Sequence, residues 1–371
     1  MHKYKIQIFF ILLLFFDKIL LIPQAREFAS STLKANPYVE TLEDFEPKQL
    51  ETGHTRKDSM VWSFGTSRSF MFYAVPNPAE TAVDRFTSSE EKQLLNSYDY
   101  FNFAAPGSNP ALAYTRFSQL IDRGYKPKII VVEISTFGFN ENNRYNGIVR
   151  LEGIPLPFVL KNIQEIPWDY TYDIIVSRMF SMYRYKISFS TLIRNLKGEV
   201  NSEAVLLEIM SGKGNFFTKA FENANSQRVS RIIPEAEYSD FSGNKTFSDP
   251  TEYYSKLEMP ASVLEKEFFA GFKVDNALFL YLTQIIRKAK FNSIQLVFWI
   301  PKIHPRLQEV DRKYSTESLV IQKISELAKQ ENIPIVDFRK KEILDCDYFQ
   351  DISHLSGRCY TKMMAKILKT N

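Results

Sequence analysis

Three side chains have the types and spacing of a nucleophilic catalytic site. Ser67 lies in a Gly-Thr-Ser-Arg turn that directly follows the apolar segment 60–64. Its hydroxyl becomes a nucleophile only when a base removes its proton, and a histidine held by a carboxylate is a common base. His354 follows Asp351 by three residues, a separation at which the carboxylate can reach the imidazole across a turn. We therefore take Ser67, Asp351 and His354 as candidate catalytic residues.

The other histidines are less suited to act as the base. The chain has four histidines in all; His2 precedes an apolar segment, and His54 lies in a polar, irregular one. His304 follows a late apolar segment, where a strand would end and a substrate could bind. We therefore keep His304 as a residue that could line the site.

Short apolar segments alternate with amphipathic ones along much of the chain. Residues 128–134 are a run of mostly β-branched side chains, which favours a central strand covered on both faces. Strands that alternate with helices through short loops indicate a parallel α/β sheet with right-handed crossovers. Such a sheet binds ligands at the carboxyl ends of its strands, and Ser67 follows such an end. The predicted strands are 60–64, 100–104, 128–134, 294–300 and 333–338, and the predicted helices include 110–123, 316–330 and one after His354.

The alternation is lost in a long middle stretch. Between about residues 141 and 272, aromatic-rich segments and a polar stretch around 226–249 replace it. We interpret this stretch as a large, mostly helical or irregular insertion in one folded domain at 59–371, serving as a cap or as a surface for partners. Residues 27–58 are polar and acidic in their middle, as a linker or a segment leading into the folded body would be.

Residues 1–26 have the pattern of a signal anchor. Residues 6–22 are apolar apart from Gln7, Asp17 and Lys18, and basic residues precede them. We expect one transmembrane helix of the inner membrane, with the main domain on the periplasmic or extracytoplasmic side. Asp17 and Lys18 would each cost about 2.5 to 3.5 kcal/mol at the centre of such a helix, so they require an interface or a partner. A cleaved signal peptide and a buried amphipathic helix of a soluble protein are the alternatives.

Composition narrows the possible partners. The 47 basic and 43 acidic residues are interleaved along the chain, so a nucleic-acid partner is not expected. No glycine-rich nucleotide motif and no H-E-x-x-H motif occurs, and two cysteines are too few for a thiolate metal site, so we expect no cofactor and no metal. Cys346 and Cys359 bracket Asp351 and His354. They could form a disulfide in an oxidising compartment, or they could remain two buried thiols.

Two of these segments together resemble a known superfamily. The strand that ends in Gly65, Thr66, Ser67 and Arg68 resembles the first sequence block of the SGNH (GDSL-like) hydrolases and acyltransferases, and the D-x-x-H-L spacing of 351–355 is similar to the last block. The resemblance implies a flavodoxin-like parallel sheet flanked by helices, with Ser67, Asp351 and His354 as the triad. It also implies that the backbone N–H groups of Gly107 and Ser67 form an oxyanion hole.

The third block of that superfamily is not matched. It normally supplies an asparagine in a G-x-N-D motif, whereas the strand 128–134 is followed by Ser135. Asn109, Ser135 and Asn140 could each replace the missing oxyanion donor, and the sequence does not rank them. In its anchor and layout the chain is similar to membrane-tethered SGNH-like proteins of alginate acetylation and teichoic acid D-alanylation.

The resemblance implies a serine-dependent acyl esterase or O-acyltransferase that acts on a cell-envelope glycan or lipid beside a membrane-bound O-acyltransferase. The unmatched third block motivates a second hypothesis, a non-catalytic accessory or assembly protein that binds an envelope polymer or the acyltransferase itself. A soluble cytoplasmic hydrolase is the third hypothesis. In each case we expect Arg68 to be a structural residue.

Overall fold

The chain divides into two compact units. The first comprises residues 1–44 and 150–214, and the second comprises residues 45–149 and 215–371. A computed structural model describes residues 2–22, 24–25, 59–70, 72, 88–105, 107–185, 193, 196–197, 262, 264–346, 353–355 and 359–370. The predicted linker at 27–58 lies outside the described residues, and the predicted insertion at about 141–272 contains the second segment of the first unit.

A five-stranded sheet forms the centre of the second unit. All four strand pairs are parallel, and the strand order is β2-β1-β3-β4-β5. The predicted parallel α/β sheet is therefore confirmed. The strands are β1 (Met60–Phe64), β2 (Asp99–Asn102), β3 (Ile129–Glu133), β4 (Gln295–Ile300) and β5 (Ile335–Asp337).

The central strands are buried on both faces, which explains their continuous apolar sequences. Every residue of β1 and β3 is buried, and Trp62 pairs in register with Phe101 on one side and Ile130 on the other. Phe103 lies edge to face against Trp62 and stacks on Phe64. Burial of one such aromatic side chain contributes roughly 1.5 to 3 kcal/mol, so this cluster anchors the strand that leads into Ser67.

Helices flank this sheet. Pro110–Asp122 packs against Asn276–Phe291, and Ser89–Asn96 packs against Tyr360–Leu368. The described α-helices are α1 (His2–Ile19), α2 (Ser67–Phe70), α3 (Ser89–Asn96), α4 (Pro110–Asp122), α5 (Arg144–Ile148), α6 (Leu156–Lys161), α7 (Trp168–Met179), α8 (Ser181–Arg184), α9 (Asn276–Phe291), α10 (Pro305–Lys313), α11 (Gln322–Gln330) and α12 (Tyr360–Leu368).

The strand order identifies the place where a ligand is expected. The chain passes from β1 to β2 on one side and then returns across β1 to β3, so the order reverses between β1 and β3. In open parallel sheets, the crevice beyond the carboxyl ends of the strands at such a reversal binds ligands. Ser67 follows β1 and Glu133 ends β3, so both residues lie at this crevice.

The first unit contains the amino-terminal helix and the helices α6 to α8. Helix α1 spans the segment expected to be an anchor, and it carries Asp17 and Lys18 in its last turn. Across the described part of the chain, no helix combines the length and the apolar character needed to cross a membrane.

Candidate active site

The turn that carries Ser67 is tightly packed. Gly65 has φ +153°, and a β-carbon there would lie 2.2 Å from Ser69 Oγ and 2.5 Å from Glu133 Cβ. Only glycine fits such an approach. Helix α2 begins at Ser67 immediately after this turn, so the Ser67 side chain projects from the carboxyl end of β1.

Ser67 and His354 lie within hydrogen-bonding distance although 287 residues separate them in the sequence, with 2.6 Å between Ser67 Oγ and His354 Nε2. Both residues are partly exposed. In a catalytic triad the base contacts the nucleophile through Nε2 and receives its carboxylate at Nδ1, and this geometry has the same orientation. Asp351, the expected carboxylate, lies outside the described residues.

Glu133 holds the nucleophile turn from the end of β3. Its Oε2 accepts hydrogen bonds from the backbone N–H groups of Thr66 (2.9 Å) and Ser69 (3.0 Å), and its Oε1 accepts the Thr66 hydroxyl (2.6 Å). The Thr66 hydroxyl oxygen in turn accepts the N–H of Arg68 at 3.3 Å. One buried carboxylate therefore satisfies two backbone donors at the start of α2 and holds the backbone on both sides of Ser67.

Arg68 compensates the charge of Glu133. The guanidinium Nε lies 3.6 Å from Glu133 Oε1, Nη2 donates to Ser135 Oγ at 3.4 Å, and the group stacks 4.4 Å from the centre of the Phe137 ring. Only 2% of Arg68 is exposed, so it is buried beside the site rather than paired at the surface. A structural role for Arg68 agrees with this placement.

Asp311 is a second carboxylate near Arg68. Burial raises the pKa of Asp311, although hydrogen bonds from the Thr136 and Thr316 hydroxyls and the charge of Arg68 act in the opposite direction. Both hydroxyls donate to Oδ1 at 2.8 Å. Asp311 therefore ties the loop after β3 to helix α10.

Gly107 lies in the turn where the resemblance expects an oxyanion donor. Its φ is +72°, and a β-carbon there would lie 2.3 Å from Tyr145 Cδ1. Just before this turn, the carbonyl groups of Phe103 and Ala104 accept hydrogen bonds from Nη1 of the buried Arg116, at 2.7 and 3.4 Å. The turn is thus fixed both by a residue that must be glycine and by a buried guanidinium.

The two asparagine candidates have structural hydrogen bonds. Asn109 is the N-cap of α4, where its Oδ1 accepts the N–H groups of residues 111 and 112, and its Nδ2 donates to Asn146 Oδ1 at 3.0 Å. Asn140 Nδ2 donates to the carbonyl of Phe268 at 2.8 Å. Both amides already have acceptors, whereas the Ser135 hydroxyl lies next to Arg68 at the end of β3.

A small cavity lies against the nucleophile turn. Its lining includes Thr66, Ser108, Asn109, Glu133 and Ser135. The space open to a water centre is about 10 Å³, roughly the room that one water molecule needs. The cavity therefore has room for about one water molecule.

His304 is a helix cap. It is the N-cap of α10, its Nδ1 accepts the N–H of Arg306 at 3.2 Å, and only 4% of the residue is exposed. Burial, followed by the positive charge of Arg306, lowers the pKa of His304 below its usual value of 6.5. The neutral imidazole is the form that can accept the N–H.

The two cysteines form a disulfide between Cys346 and Cys359. Both are buried, and the bond closes the loop that carries His354. Of the two alternatives left open by the sequence, the structure has the disulfide. Within the described ranges, no group of three His, Cys, Asp or Glu side chains is arranged to hold a metal ion.

The sequence did not predict the roles of Glu133 and Arg116. The available signals were an acidic residue at the end of an otherwise apolar strand, and an arginine within the mostly apolar helix α4. No curated protein matches the sequence. Residues 7–370 match the family described as "Protein of unknown function (DUF1574)", and the chain therefore belongs to this family.

Proposed function

We propose that this protein is a serine-dependent acyl esterase or O-acyltransferase that acts on a cell-envelope glycan or lipid. The observation that carries the proposal is the 2.6 Å contact between Ser67 Oγ and His354 Nε2 at the carboxyl edge of the sheet. Both residues are partly buried, and 287 residues separate them in the sequence, so the fold brings them together. Activation of the hydroxyl is the chemical purpose that such a pair serves best.

The reaction follows from this pair. Ser67 Oγ attacks the acyl carbonyl while its proton moves to His354 Nε2, and collapse of the tetrahedral intermediate expels the leaving alcohol, which takes that proton. Water or a sugar hydroxyl then attacks the acyl-serine and gives its proton to His354. As the bond between Ser67 Oγ and the acyl carbon breaks, His354 returns that proton to Ser67 Oγ, and the acid or the new ester is released. Asp351 is proposed to orient the imidazole, and the backbone N–H groups of Ser67 and Gly107 to bind the oxyanion.

The buried network around Glu133 supports this reading. Three hydrogen bonds to one carboxylate hold the residues on both sides of Ser67, which is the kind of rigid support that a nucleophile requires. A carboxylate left in a parallel sheet solely for stability would be costly, because burial of a charge is favourable only with good pairing. The Glu133 contacts therefore fix the backbone of the turn that carries Ser67.

The location on the envelope remains part of the proposal. Helix α1 is proposed to attach the protein to the inner membrane, with the second unit on the extracytoplasmic side, where a membrane-bound O-acyltransferase could supply the acyl group. The disulfide supports an oxidising compartment, since such bonds persist there and are rare in a reducing cytosol.

A second candidate function is an accessory protein that binds an envelope polymer or an acyltransferase without catalysis. One observation favours it: the amides of Asn109 and Asn140 are both used in structural hydrogen bonds. One N–H of each amide is therefore occupied. A site in which neither amide nor the Ser135 hydroxyl turns to the oxyanion would have two donors in place of three.

Labelling of the full-length protein in detergent by a fluorophosphonate probe, together with turnover of p-nitrophenyl acetate, tests the proposal. We expect both to be lost in Ser67→Ala and His354→Ala. Ser325→Ala is the matched control, because Ser325 is exposed on helix α11 and its hydroxyl has no part in the site. A folded wild type that neither labels nor turns over would favour the accessory role. Labelling that persists in Ser67→Ala would show that another residue reacts.

A further inference from the structure

Helix α7 of the first unit carries large apolar side chains on its exposed side as well as on its buried side. Tyr170, Thr171, Ile174 and Ser177 form its buried face. Trp168, Tyr172, Ile175 and Met179 follow the spacing i, i+4, i+7, i+11 on another face, which we call the apolar stripe. Trp168 is 73% exposed, Tyr172 55% and Met179 56%. A helix face of this kind is ordinarily polar when water covers it.

The amino-terminal helix α1 ends beside the last residue of α7. Asp17 accepts hydrogen bonds from the backbone N–H groups of Ser181 (3.0 Å) and Met182 (2.7 Å), and Lys18 Nζ donates to the carbonyl of Met179 (2.6 Å). Asp17 and Lys18 also form an ion pair at 3.0 Å. These charges therefore have protein partners, and they join the end of α1 to the end of the apolar stripe.

Among the described residues, the part of helix α1 from Ile8 to Phe16 is exposed on every side. Each residue from Ile8 to Phe16 is apolar, and their exposed fractions lie between 44% and 65%. A groove on another protein, or a second copy of the chain, would cover one face of a helix. Lipid chains surround a helix completely, so an apolar helix exposed all round is best matched by a bilayer.

The apolar stripe continues this surface, but its composition differs. It presents Trp168 and Tyr172, whose rings combine an apolar body with a polar tip, and such residues are enriched where lipid headgroups meet the acyl chains. We propose that helix α7 lies in the membrane interface, with the apolar stripe facing the lipid and the Asp17–Lys18 contact at headgroup level. The inference rests on the proposed membrane attachment through α1.

The tryptophans of this chain permit a direct test. The chain has three, of which Trp62 and Trp299 are fully buried in the second unit, whereas Trp168 is 73% exposed. The full-length protein is reconstituted into vesicles of phosphatidylcholine and phosphatidylglycerol. Its fluorescence is then quenched either from the lipid phase, by phosphatidylcholine brominated near the headgroup end of its acyl chains, or from water, by iodide.

We expect brominated lipid to quench the wild type and iodide to have little effect. Trp168→Phe should lose the lipid-dependent quenching, because the remaining tryptophans lie in the core. A control combines Trp168→Phe with Phe291→Trp, since Phe291 is 89% exposed on the second unit and lies outside the apolar stripe. The tryptophan of this control should be quenched by iodide and not by brominated lipid.

Three results would overturn the inference, and they differ in what they say about membrane attachment. If the protein binds vesicles but Trp168 is quenched by iodide alone, attachment through α1 stands and the interfacial role of α7 is wrong. If Trp168 is protected from both quenchers, a protein surface covers the apolar stripe. If the protein does not float with vesicles, both the attachment and the inference fail, while the hydrolysis assay still tests the catalytic proposal independently.

Discussion

Replacement of Glu133 by glutamine tests whether a buried carboxylate positions the nucleophile. The side chain keeps its shape but loses its charge, and one of its two oxygens becomes an NH₂ group. If the remaining oxygen accepts the N–H groups of Thr66 and Ser69, the new NH₂ points at the Thr66 hydroxyl and at the Arg68 guanidinium, which lies 3.6 Å from Oε1. The new NH₂ group can donate to the Thr66 hydroxyl oxygen, but it cannot accept a hydrogen bond from the Arg68 guanidinium.

The expected cost follows from these contacts. A hydrogen bond to a charged group contributes about 1.5 to 3 kcal/mol, and removal of one partner of a buried ion pair costs about 3 to 5 kcal/mol. Glutamine retains the two backbone bonds in weaker form, so we expect Glu133→Gln to lower the free energy of unfolding by about 3 kcal/mol. A displacement of the Ser67 turn by about 1 Å would reduce the rate of fluorophosphonate labelling by about 100-fold.

Both effects are measurable on one preparation. Urea unfolding followed by tryptophan fluorescence reports stability, and the labelling rate is measured at a temperature where wild type and variant are both folded. Glu141→Gln is the control: it removes a carboxylate that pairs with Lys273 at 2.7 Å, but both side chains of that pair are exposed. Such surface pairs contribute about 0 to 1 kcal/mol, so the control should label normally.

One result would refute the reasoning about Glu133. If Glu133→Gln unfolds within about 0.5 kcal/mol of the wild type and labels at the same rate, the carboxylate neither stabilises the turn nor positions Ser67. A loss of stability without a change in labelling rate at low temperature would show that the network supports the fold alone.

Three further predictions concern Gly107 in the turn after β2, the Cys346–Cys359 disulfide and the helix cap His304. Gly107→Ala should slow labelling strongly because its β-carbon would meet a tyrosine ring at 2.3 Å, whereas Gly124→Ala, at a similar positive φ with open space, should not. The Cys346–Cys359 bond joins two cysteines with a sequence separation of 13, and its reduction should lower the free energy of unfolding by about 3 kcal/mol. It should also lower the labelling rate, because His354 lies between the two cysteines in the sequence. The pKa of His304 is lowered in the folded state, so at pH values below about 6.5 the unfolded chain binds more protons than the folded protein. As the pH is lowered through this range, the free energy of unfolding should therefore decrease more steeply in the wild type than in His304→Asn.

Each of these predictions has an outcome that contradicts it. Equal labelling rates for the alanine variants at Gly107 and Gly124 would show that the reaction does not depend on the backbone geometry at Gly107. A Cys346→Ser, Cys359→Ser double variant that melts at the wild-type temperature would show that the disulfide does not constrain the loop. Parallel stability curves between pH 7 and pH 5, where unfolded histidine titrates with a pKa of about 6.5, would assign the acid sensitivity to groups other than His304.

Much of the sheet could be predicted because strand formation leaves a local signal. The predicted strands at 60–64, 128–134 and 294–300 agree closely with β1, β3 and β4, since strands buried on both faces are continuously apolar. Helix α4 was also predicted closely, because its helical periodicity begins at a proline. By contrast, the strand order depends on how distant segments pack.

The candidate site was predictable in part. Ser67 and His354 were selected from residue type, position after a strand and resemblance, and the structure brings them to 2.6 Å. The choice among Asn109, Ser135 and Asn140 was not possible, because it depends on which acceptors the fold places beside each amide. Asn109 finds Asn146, and Asn140 finds the carbonyl of Phe268.

Sequence alone determined the strands at 60–64, 128–134 and 294–300 and the helix at 110–123, because the period of apolar residues records whether a segment is buried as a strand or as a helix. The sequence also showed that Asp17 and Lys18 interrupt the apolar amino-terminal segment, but it did not show which groups they would bind. Tertiary structure alone decided that Asp17 binds the start of α8 and that Glu133 holds the turn of Ser67. The physical reason is that a buried charge is stabilised by whichever donors packing brings within about 3 Å, and these donors lie far away in the chain.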